Sequence, residues 1–253
     1  MASIEMAYSY PREVEKAKKE HWPVLIPVGT MEYHSAHCPF GCDALVSIGI
    51  VREIAKKVDC IVMPPVWYGV ASYAVGGPEK STIHIECDTL EKYMYDLLKS
   101  LFRAGFTRNI HIFTNHQCED ALPQALACMK AAKKLTFEYM EEIQGIGWWG
   151  NNSNADFYKN LKQEDNPWNF IRIHNGAPQA VREMGNYGGD HAGKWECAEL
   201  ESLFPGIIKL DRLSETDDWF AQDAAEMDVS KANCLINDIV NDFLKTIGRE
   251  DLC

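Results

Sequence analysis

Short apolar runs alternate along this chain with stretches in which apolar residues recur at helical spacing. Three runs predict buried strands, at Pro23–Val28, Cys60–Met63 and Arg108–Thr114. Between them, apolar positions recur every three or four residues over Ala44–Val58 and Leu90–Ala104, as in amphipathic helices. Strands and helices that alternate with short connections predict an α/β fold in which helices cover both faces of a mostly parallel sheet.

The pattern of the second half of the chain is less regular. It predicts a helix over Glu119–Lys133, a further strand over Leu135–Met140 and a long closing helix over Asp228–Ile247. Residues 141–189 are rich in Asn, Gly, Trp and Pro and show weak periodicity. A segment this long without clear elements is more often functional than idle, and we expect it to cross the edge of the sheet. No repeat or linker divides the sequence, so we expect a single domain over residues 1–253.

The composition narrows the classes of partner. Lysine plus arginine total 25 and aspartate plus glutamate total 37, which gives a formal charge of −12. A chain this acidic, without basic runs, does not suit nucleic acid or an anionic membrane surface, and it has no apolar run of roughly 18 residues. The nine scattered cysteines are typical of free thiols in a reducing compartment. Because the N-terminal sequence also lacks a secretory pattern, we expect a cytoplasmic protein that acts on small molecules.

Polar clusters follow two of the predicted strands, and a third cluster lies further along the chain. MEYHSAHCPFGCD covers residues 31–43, TNHQCED covers 114–120 and GGDHAGKWECAELES covers 188–202. In open α/β sheets, ligands bind beyond the carboxyl ends of the strands. We therefore expect these clusters to converge on one edge of the sheet.

The side chains in these clusters are of the types that bind metal ions. Glu32 and His34 are two residues apart, so in extended backbone they share a face. Asp43 has a carboxylate that can bridge two ions, and His116 can join from the neighbouring strand end. Carboxylate with imidazole suits zinc, manganese or iron(II), and a shared carboxylate suits a two-metal site that activates water. Two alternatives stay open: Asp43 can cap the following helix, and His116 can be a hydrogen-bonded loop histidine.

The cysteines of the same clusters allow two other interpretations. Cys38 and Cys42 form a C-x3-C pair, but no second close pair completes a structural zinc site. Cys118 could act as a nucleophile with His116 as its base. The alternative for Cys118 is an inert, small apolar residue.

The motifs resemble those of the creatininase family. In PVGTMEYHSAHCPFGCD, a strand ending in Pro-Val-Gly is followed by E-x-H and by H-x-P-x-G-x-D, as in that family. TNHQCED is similar to its N-G-H-x-x-N segment, and DHAGKWECAE is similar to its H-A-G-x-x-E-T-S segment. Creatinine-hydrolysing members carry a glutamate two residues after the second motif's histidine, where this chain has Cys118. That departure puts creatinine itself in doubt as the substrate.

The resemblance implies a three-layer α/β/α fold with a mostly parallel central sheet, a two-metal hydrolytic centre and a homohexamer. Glu32, Asp43 and His116 would hold one ion, and His34 with Asp43 would hold the other. We expect two divalent ions, zinc with manganese, iron or a second zinc. The second ion then lacks a third protein ligand, and we expect Glu196 to supply it in preference to Cys118.

We therefore expect a metal-dependent hydrolase that cleaves a small, polar, cyclic amide-type substrate. His191 is expected to act as general acid and base. The residues expected to contact the substrate are Lys194, Trp148, Trp149 and Cys118. Two alternatives remain: a hydrolase that opens the ring of a cyclic diketone, such as an oxidised inositol or sugar, and a metal-binding scaffold without catalysis.

Overall fold

The computed structural model describes residues 3–116 and 123–253. Strands and helices alternate in the first half of these residues, and helices dominate the second half. In chain order the elements are β1 (Ile4–Glu5), α1 (Pro11–Lys19), β2 (Val24–Val28), α2 (Cys42–Ala55), β3 (Ile61–Val62), α3 (Cys87–Arg103), β4 (Ile110–Thr114), α4 (Pro123–Gln144), α5 (Ala155–Lys159), β5 (Ile171–Asn175), α6 (Gln179–Gly185), α7 (Lys194–Leu203) and α8 (Val229–Thr246). Within these ranges no helix is long and apolar enough to cross a membrane.

The strands form one sheet in the order β1-β3-β2-β4-β5, and all of its strand pairings are parallel. The two longest central strands, β2 and β4, pair from Val24 with Ile110 to Val28 with Thr114. Every residue of both strands is buried, as expected for parallel strands with helices on both faces. The predicted fold class is confirmed.

Side chains of β2 alternate between two apolar cores. Val24, Ile26 and Val28 pack into the core that contains α1, α3 and α4. Leu25 points to the opposite face, where α2, α7 and α8 form the second core. This alternation follows from the two-residue period of a strand and produces the three layers.

One secondary-structure prediction is wrong. Residues 135–140, LTFEYM, belong to α4 and not to a strand. Their alternation of Leu135, Phe137 and Tyr139 imitates a strand, but the buried residues are Leu135, Thr136 and Met140, while Phe137 is exposed. That burial continues the helical spacing of the earlier turns of α4, which packs along α3.

The irregular segment at residues 141–189 also contains structure that the sequence pattern does not indicate. Its strand β5 pairs with β4 and forms the edge of the sheet, so the segment both reaches and extends that edge. The helices α5 and α6 flank β5. The sequence of β5, IRIHN, is short and half polar, which explains why its pattern is weak.

The end of β2 lies unusually close to the first turn of α2. A Cβ atom at Gly29 would lie 2.2 Å from Cα of Ala44 and 2.3 Å from its backbone nitrogen. Only glycine allows this approach, because real Cβ atoms essentially never come closer than 3.0 Å to another heavy atom. The contact places Asp43, at the start of α2, beside the residues that follow β2.

Candidate active site

The loop after β2 folds back on itself and orients His34. The N–H of Glu32 donates to the carbonyl oxygen of Phe40 at 2.9 Å. Nδ1 of His34 lies 2.9 Å from the carbonyl oxygen of Glu32. Because a carbonyl only accepts hydrogen bonds, Nδ1 carries a proton, and Nε2 is the nitrogen left to bind a further proton or a metal ion. A backbone hydrogen bond of this kind is what orients a histidine that binds metal through its other nitrogen.

Five side chains from three parts of the chain meet beyond the ends of β2 and β4. Nδ1 of His116 lies 3.2 Å from Oε2 of Glu32 and 3.4 Å from Oδ2 of Asp43. Nε2 of His34 lies 3.9 Å from the same Asp43 oxygen and 3.4 Å from Oε2 of Glu196. Asp43 Oδ2 therefore lies between two groups of ligand atoms, which is the position of a bridging carboxylate.

Several polar atoms of this cluster are buried and lack hydrogen-bond partners among the described residues. The unpaired atoms include both carboxylate oxygens of Glu32, Nε2 of His34 and Oδ2 of Asp43, on side chains that are 1–2% exposed. Buried polar atoms without partners are costly, and several in one place indicate a missing ligand. Zinc bonds of about 2.0–2.2 Å to nitrogen and oxygen separate neighbouring donors by about 3.3 Å, close to the distances found here.

The charges of the cluster favour a cation. Burial lowers the pKa of His34, but the carboxylates of Glu196 and Asp43 outweigh it and raise that pKa to about 10. Burial also lowers the pKa of His116, but the carboxylates of Asp43 and Glu32 outweigh it and raise that pKa to about 10. Although burial opposes ionisation of Glu196, His34 lowers its pKa to about 2. The cluster thus attracts positive charge, whether protons on its histidines or metal ions.

The start of α7 carries His191 and Glu196 to the cluster. The carboxylate of Asp190 accepts hydrogen bonds from the backbone N–H groups of Trp195 and Glu196, at 2.9 and 3.0 Å, and so caps the helix. The N–H of Ala192 donates to Oε2 of Glu196 at 2.7 Å, which fixes this carboxylate near His34.

His191 lies against His34 at the mouth of the cluster. The two rings stack with centroids 4.2 Å apart. Nε2 of His191 lies 2.9 Å from the carbonyl oxygen of Tyr33, so Nε2 carries the proton and Nδ1 is the nitrogen that can accept one. A histidine held in this way beside a cluster of carboxylates and imidazoles can transfer protons.

A cavity of about 510 Å³ opens onto the cluster. Glu32, Asp43, His116 and Glu196 form its inner wall, and His191 also lines it. This volume suits a small molecule. Of the residues that were predicted to bind metal, His34 alone does not line the cavity, because it lies behind His191.

Three residues expected to contact the substrate lie elsewhere. The ammonium group of Lys194 binds Oε2 of Glu226 at 3.0 Å and lies 3.4 Å from Oδ2 of Asp223, an arrangement that keeps it at the surface. Trp148 is 7% exposed and packs against Trp168 in the first core.

Trp149 is 62% exposed and does not line the cavity. None of Lys194, Trp148 and Trp149 lines the cavity, and their contact with a substrate stays a prediction. Cys118 lies outside the described residues, and its role stays a prediction.

The cavity also contains residues that sequence reasoning missed. Arg182, Trp195 and Glu199 also line it. Nη2 of Arg182 lies 3.7 Å from Oε1 of Glu199, and burial raises the pKa of Glu199 to about 7. Glu199 follows Glu196 by three residues on α7, so helical spacing could have placed it on the same face. Arg182 comes from the irregular segment, where no pattern marked it.

The fold and the site together define a class of protein: a three-layer α/β protein with a buried carboxylate and imidazole cluster at the carboxyl edge of its parallel sheet. The chain belongs to the creatininase family, because a family model described as creatinine amidohydrolase matches residues 8–240. The resemblance seen in the motifs is thereby confirmed.

Two curated relatives with assigned activities match part of the chain. One is 3-dehydro-scyllo-inosose hydrolase of Thermotoga maritima, which is 26% identical over 164 residues. That match covers 64% of this chain but only 50% of the relative. The other is creatinine amidohydrolase of Pseudomonas putida, 22% identical over 198 residues, which cover 75% of this chain and 67% of that protein.

Solved structures extend the likeness over the whole chain. A mutant creatininase of the Zn-Zn type has a TM-score of 0.72 at 17% identity and covers 100% of this chain and 99% of its own. A manganese creatininase has a TM-score of 0.71 at 18% identity and covers 99% of each chain. At 17–18% identity these comparisons establish the fold of the chain but not its activity.

Proposed function

We propose that this chain is a metal-dependent hydrolase of a small polar substrate, and that two divalent ions bind at the strand-end cluster. The observation that carries the proposal is the set of buried ligand atoms that lack hydrogen-bond partners, on Glu32, His34 and Asp43. The likeness to creatininases in zinc and manganese forms supports the same conclusion.

The ligand atoms divide into two groups that share Asp43. Glu32, Asp43 and His116 would hold one ion, since their donor atoms all lie within 4.8 Å of one another. His34, Asp43 and Glu196 would hold the other, with His34 Nε2 between the two carboxylates. Imidazole with carboxylate suits zinc, manganese and iron(II).

Chemistry at this site needs a polarised carbonyl and an acidified water molecule, which bound divalent ions supply. The chain itself contributes position and proton transfer. Nδ1 of His191 would receive the proton of the attacking water and deliver it to the leaving atom. The hydrogen bond from Nε2 to the Tyr33 carbonyl holds the ring in place during both steps. The walls of the cavity orient the substrate and limit access of bulk water.

The principal candidate reaction is hydrolysis of a cyclic amide. Water adds to the carbonyl carbon, the C–N bond breaks, and the amine nitrogen takes the proton from His191. The likeness to creatinine amidohydrolase supports this reaction class.

A second candidate is opening of a cyclic diketone, and two further residues that line the cavity favour it. Arg182 is a hydrogen-bond donor and Glu199 a hydrogen-bond acceptor, a combination that suits the hydroxyl groups of a polyol ring. In this reaction water adds to one carbonyl, a C–C bond breaks, and the carbon that leaves takes the proton. The relative that hydrolyses 3-dehydro-scyllo-inosose supports this candidate.

Metal removal tests the proposal. Protein stripped with a chelator should lose turnover on a panel of lactams and cyclic ketones, and it should regain turnover with zinc or manganese. Asp43→Asn should remain inactive after metal is added back, whereas the fully exposed control Asp156→Asn should recover as wild type does. Full turnover with no metal detectable by mass spectrometry would overturn the proposal, and loaded protein without turnover on any substrate would favour the scaffold.

Metal counts test the assignment of the second ion. Glu196→Gln should lose about one ion per chain, because its carboxylate lies 3.4 Å from Nε2 of His34. Cys118→Ala should lose none. The reverse result would make Cys118 the ligand and remove Glu196 from the site.

Product analysis separates the two reactions. Cyclic amides release a titratable amine, whereas cyclic diketones lose one carbonyl and gain a carboxylate without any amine. Turnover of one class only would settle which candidate holds.

A further inference from the structure

Cys42 lies beside the second group of ligand atoms. Its sulfur, a nitrogen of His34 and a carboxylate oxygen of Glu196 all lie within 4.8 Å of one another. Cys42 is the first residue of α2 and is 0% exposed. The close contact between Gly29 and Ala44 that fixes the start of α2 fixes Cys42 and Asp43 together.

A buried thiol alone does not make a metal ligand, but a second observation points to the same place. His34 is 1% exposed, and its Nε2 has no hydrogen-bond partner in the described part of the chain and faces the carboxylates of Asp43 and Glu196. The group then offers an imidazole nitrogen, a carboxylate oxygen and a thiol sulfur, three donors of the types that bind zinc and as many as a catalytic zinc takes from protein.

We propose that Cys42 is a thiolate ligand of the ion held by His34, and that this position therefore selects zinc. The inference rests on the proposed two-metal site and adds a donor to it. Thiolate is a soft ligand that favours zinc strongly over manganese, whereas carboxylate and imidazole accept both. The position at His116, whose donors in the described cluster are nitrogen and oxygen only, accepts either metal.

The neighbouring thiols offer a matched comparison. Cys197 is as deeply buried as Cys42, but its sulfur contacts Nε2 of His37 at 3.4 Å and does not belong to the ligand group. Replacement of Cys197 removes a buried thiol of the same region without removing a donor. Cys118 needs its own variant, because it follows His116 closely in the sequence.

Cobalt(II) is the probe, because a thiolate bound to cobalt gives a near-ultraviolet charge-transfer band whether or not the protein is active. Apo protein loaded with two equivalents of cobalt should show the band in wild type, Cys197→Ser and Cys118→Ala. Cys42→Ser should lack it while mass spectrometry still finds bound cobalt. The proposal would be overturned if wild-type protein loaded with cobalt showed no band. It would also be overturned if Cys118→Ala lost the band while Cys42→Ser kept it.

Competition between metals gives a second measurement. Loss of a residue that hydrogen-bonds to a metal ligand lowers metal affinity about 10–100-fold, and loss of a ligand itself should lower it at least as much. Cys42→Ser should therefore lower the preference of one ion per chain for zinc over manganese by about that factor. An unchanged preference would overturn the proposal. If Cys42→Ser does not fold, Cys42→Ala and the spectrum of the wild type decide the question.

Failure of this inference differs from failure of the proposed function. A protein that binds two ions and hydrolyses its substrate without a sulfur–cobalt band refutes only the role of Cys42. A protein that binds no cobalt at all refutes both.

Discussion

Substitution of Gly29 by alanine should displace α2 and empty the metal site. The added Cβ would lie 2.2 Å from Cα of Ala44, and an ordinary contact begins at 3.4 Å, so the first turn of α2 would have to retreat by about 1.2 Å. The obstacle is backbone rather than a flexible side chain. Gly29 does not have a positive φ, so the effect would be steric and not conformational.

The expected magnitudes follow from that displacement. Overpacking in a tight core costs about 1–3 kcal/mol, and contact with backbone puts Gly29→Ala near the upper end. A loss of about 3 kcal/mol lowers the melting temperature of a chain of this size by roughly 6–12 °C. Metal–ligand distances tolerate only about 0.2 Å, so a shift of Asp43 by more than 1 Å should release both ions.

The assay compares two glycines that flank the same helix start. A Cβ at Gly41 would lie 3.2 Å from the ring of Trp67, which is 36% exposed and can yield by a few tenths of an ångström. Gly41→Ala should therefore keep two ions and melt near the wild-type temperature. Gly29→Ala should lose both ions and melt at a lower temperature, and circular dichroism should show that it still folds. Gly29→Ala with a full complement of metal and a melting temperature within about 2 °C of wild type would refute the reasoning.

Three further predictions concern ligand loss, proton transfer and pH. Asp43→Ala should release both ions by mass spectrometry and His34→Ala only one; equal losses would contradict a bridging role. His191→Asn should lower kcat by roughly 10²–10⁴-fold with metal content intact, and near-normal turnover would exclude the role in proton transfer. Burial and then Arg172 lower the pKa of His174 to about 4, from 6.5. The unfolded chain therefore binds this proton first, and up to about 3 kcal/mol of stability, intact above pH 6.5, is lost as the pH falls towards 4. Urea unfolding at pH 6.5 and at pH 4 should show a smaller loss of unfolding free energy in His174→Gln than in wild type. An equal loss in the two proteins would contradict this prediction.

The parallel core could be predicted because its signal is local and repeated. Strands β2 and β4 are short, buried on both faces and rich in apolar residues, so their sequences are unambiguous. The prediction of a strand at residues 135–140 is wrong because six residues are too few to separate a strand pattern from a helix pattern. Here an exposed aromatic residue, Phe137, completes the alternation although it lies on the outer side of a helix. Only the packing of α4 on α3 decides between the two.

The site could be predicted in part for a related reason. Parallel strands end at one edge of a sheet, so Glu32 and His116 were expected to meet there. The presence of Arg182 in the cavity could not be predicted, because this residue comes from a helix of seven residues inside an irregular segment. The same lack of local signal hides the packing of Trp148 in the core.

The positive charge that balances the buried carboxylates of this site does not come from its lysine or arginine side chains. Among the described residues that line the cavity, Arg182 is the only lysine or arginine, and Glu199 lies beside it. Within the described ranges the carboxyl groups of Glu32, Asp43 and Glu196 pair only with histidines and with no lysine or arginine. Buried carboxylates without counter-charge are too costly to retain, so positive charge must come from outside the covalent chain. Protons on the histidines meet that need in part, and the divalent ions proposed above would meet it while displacing those protons.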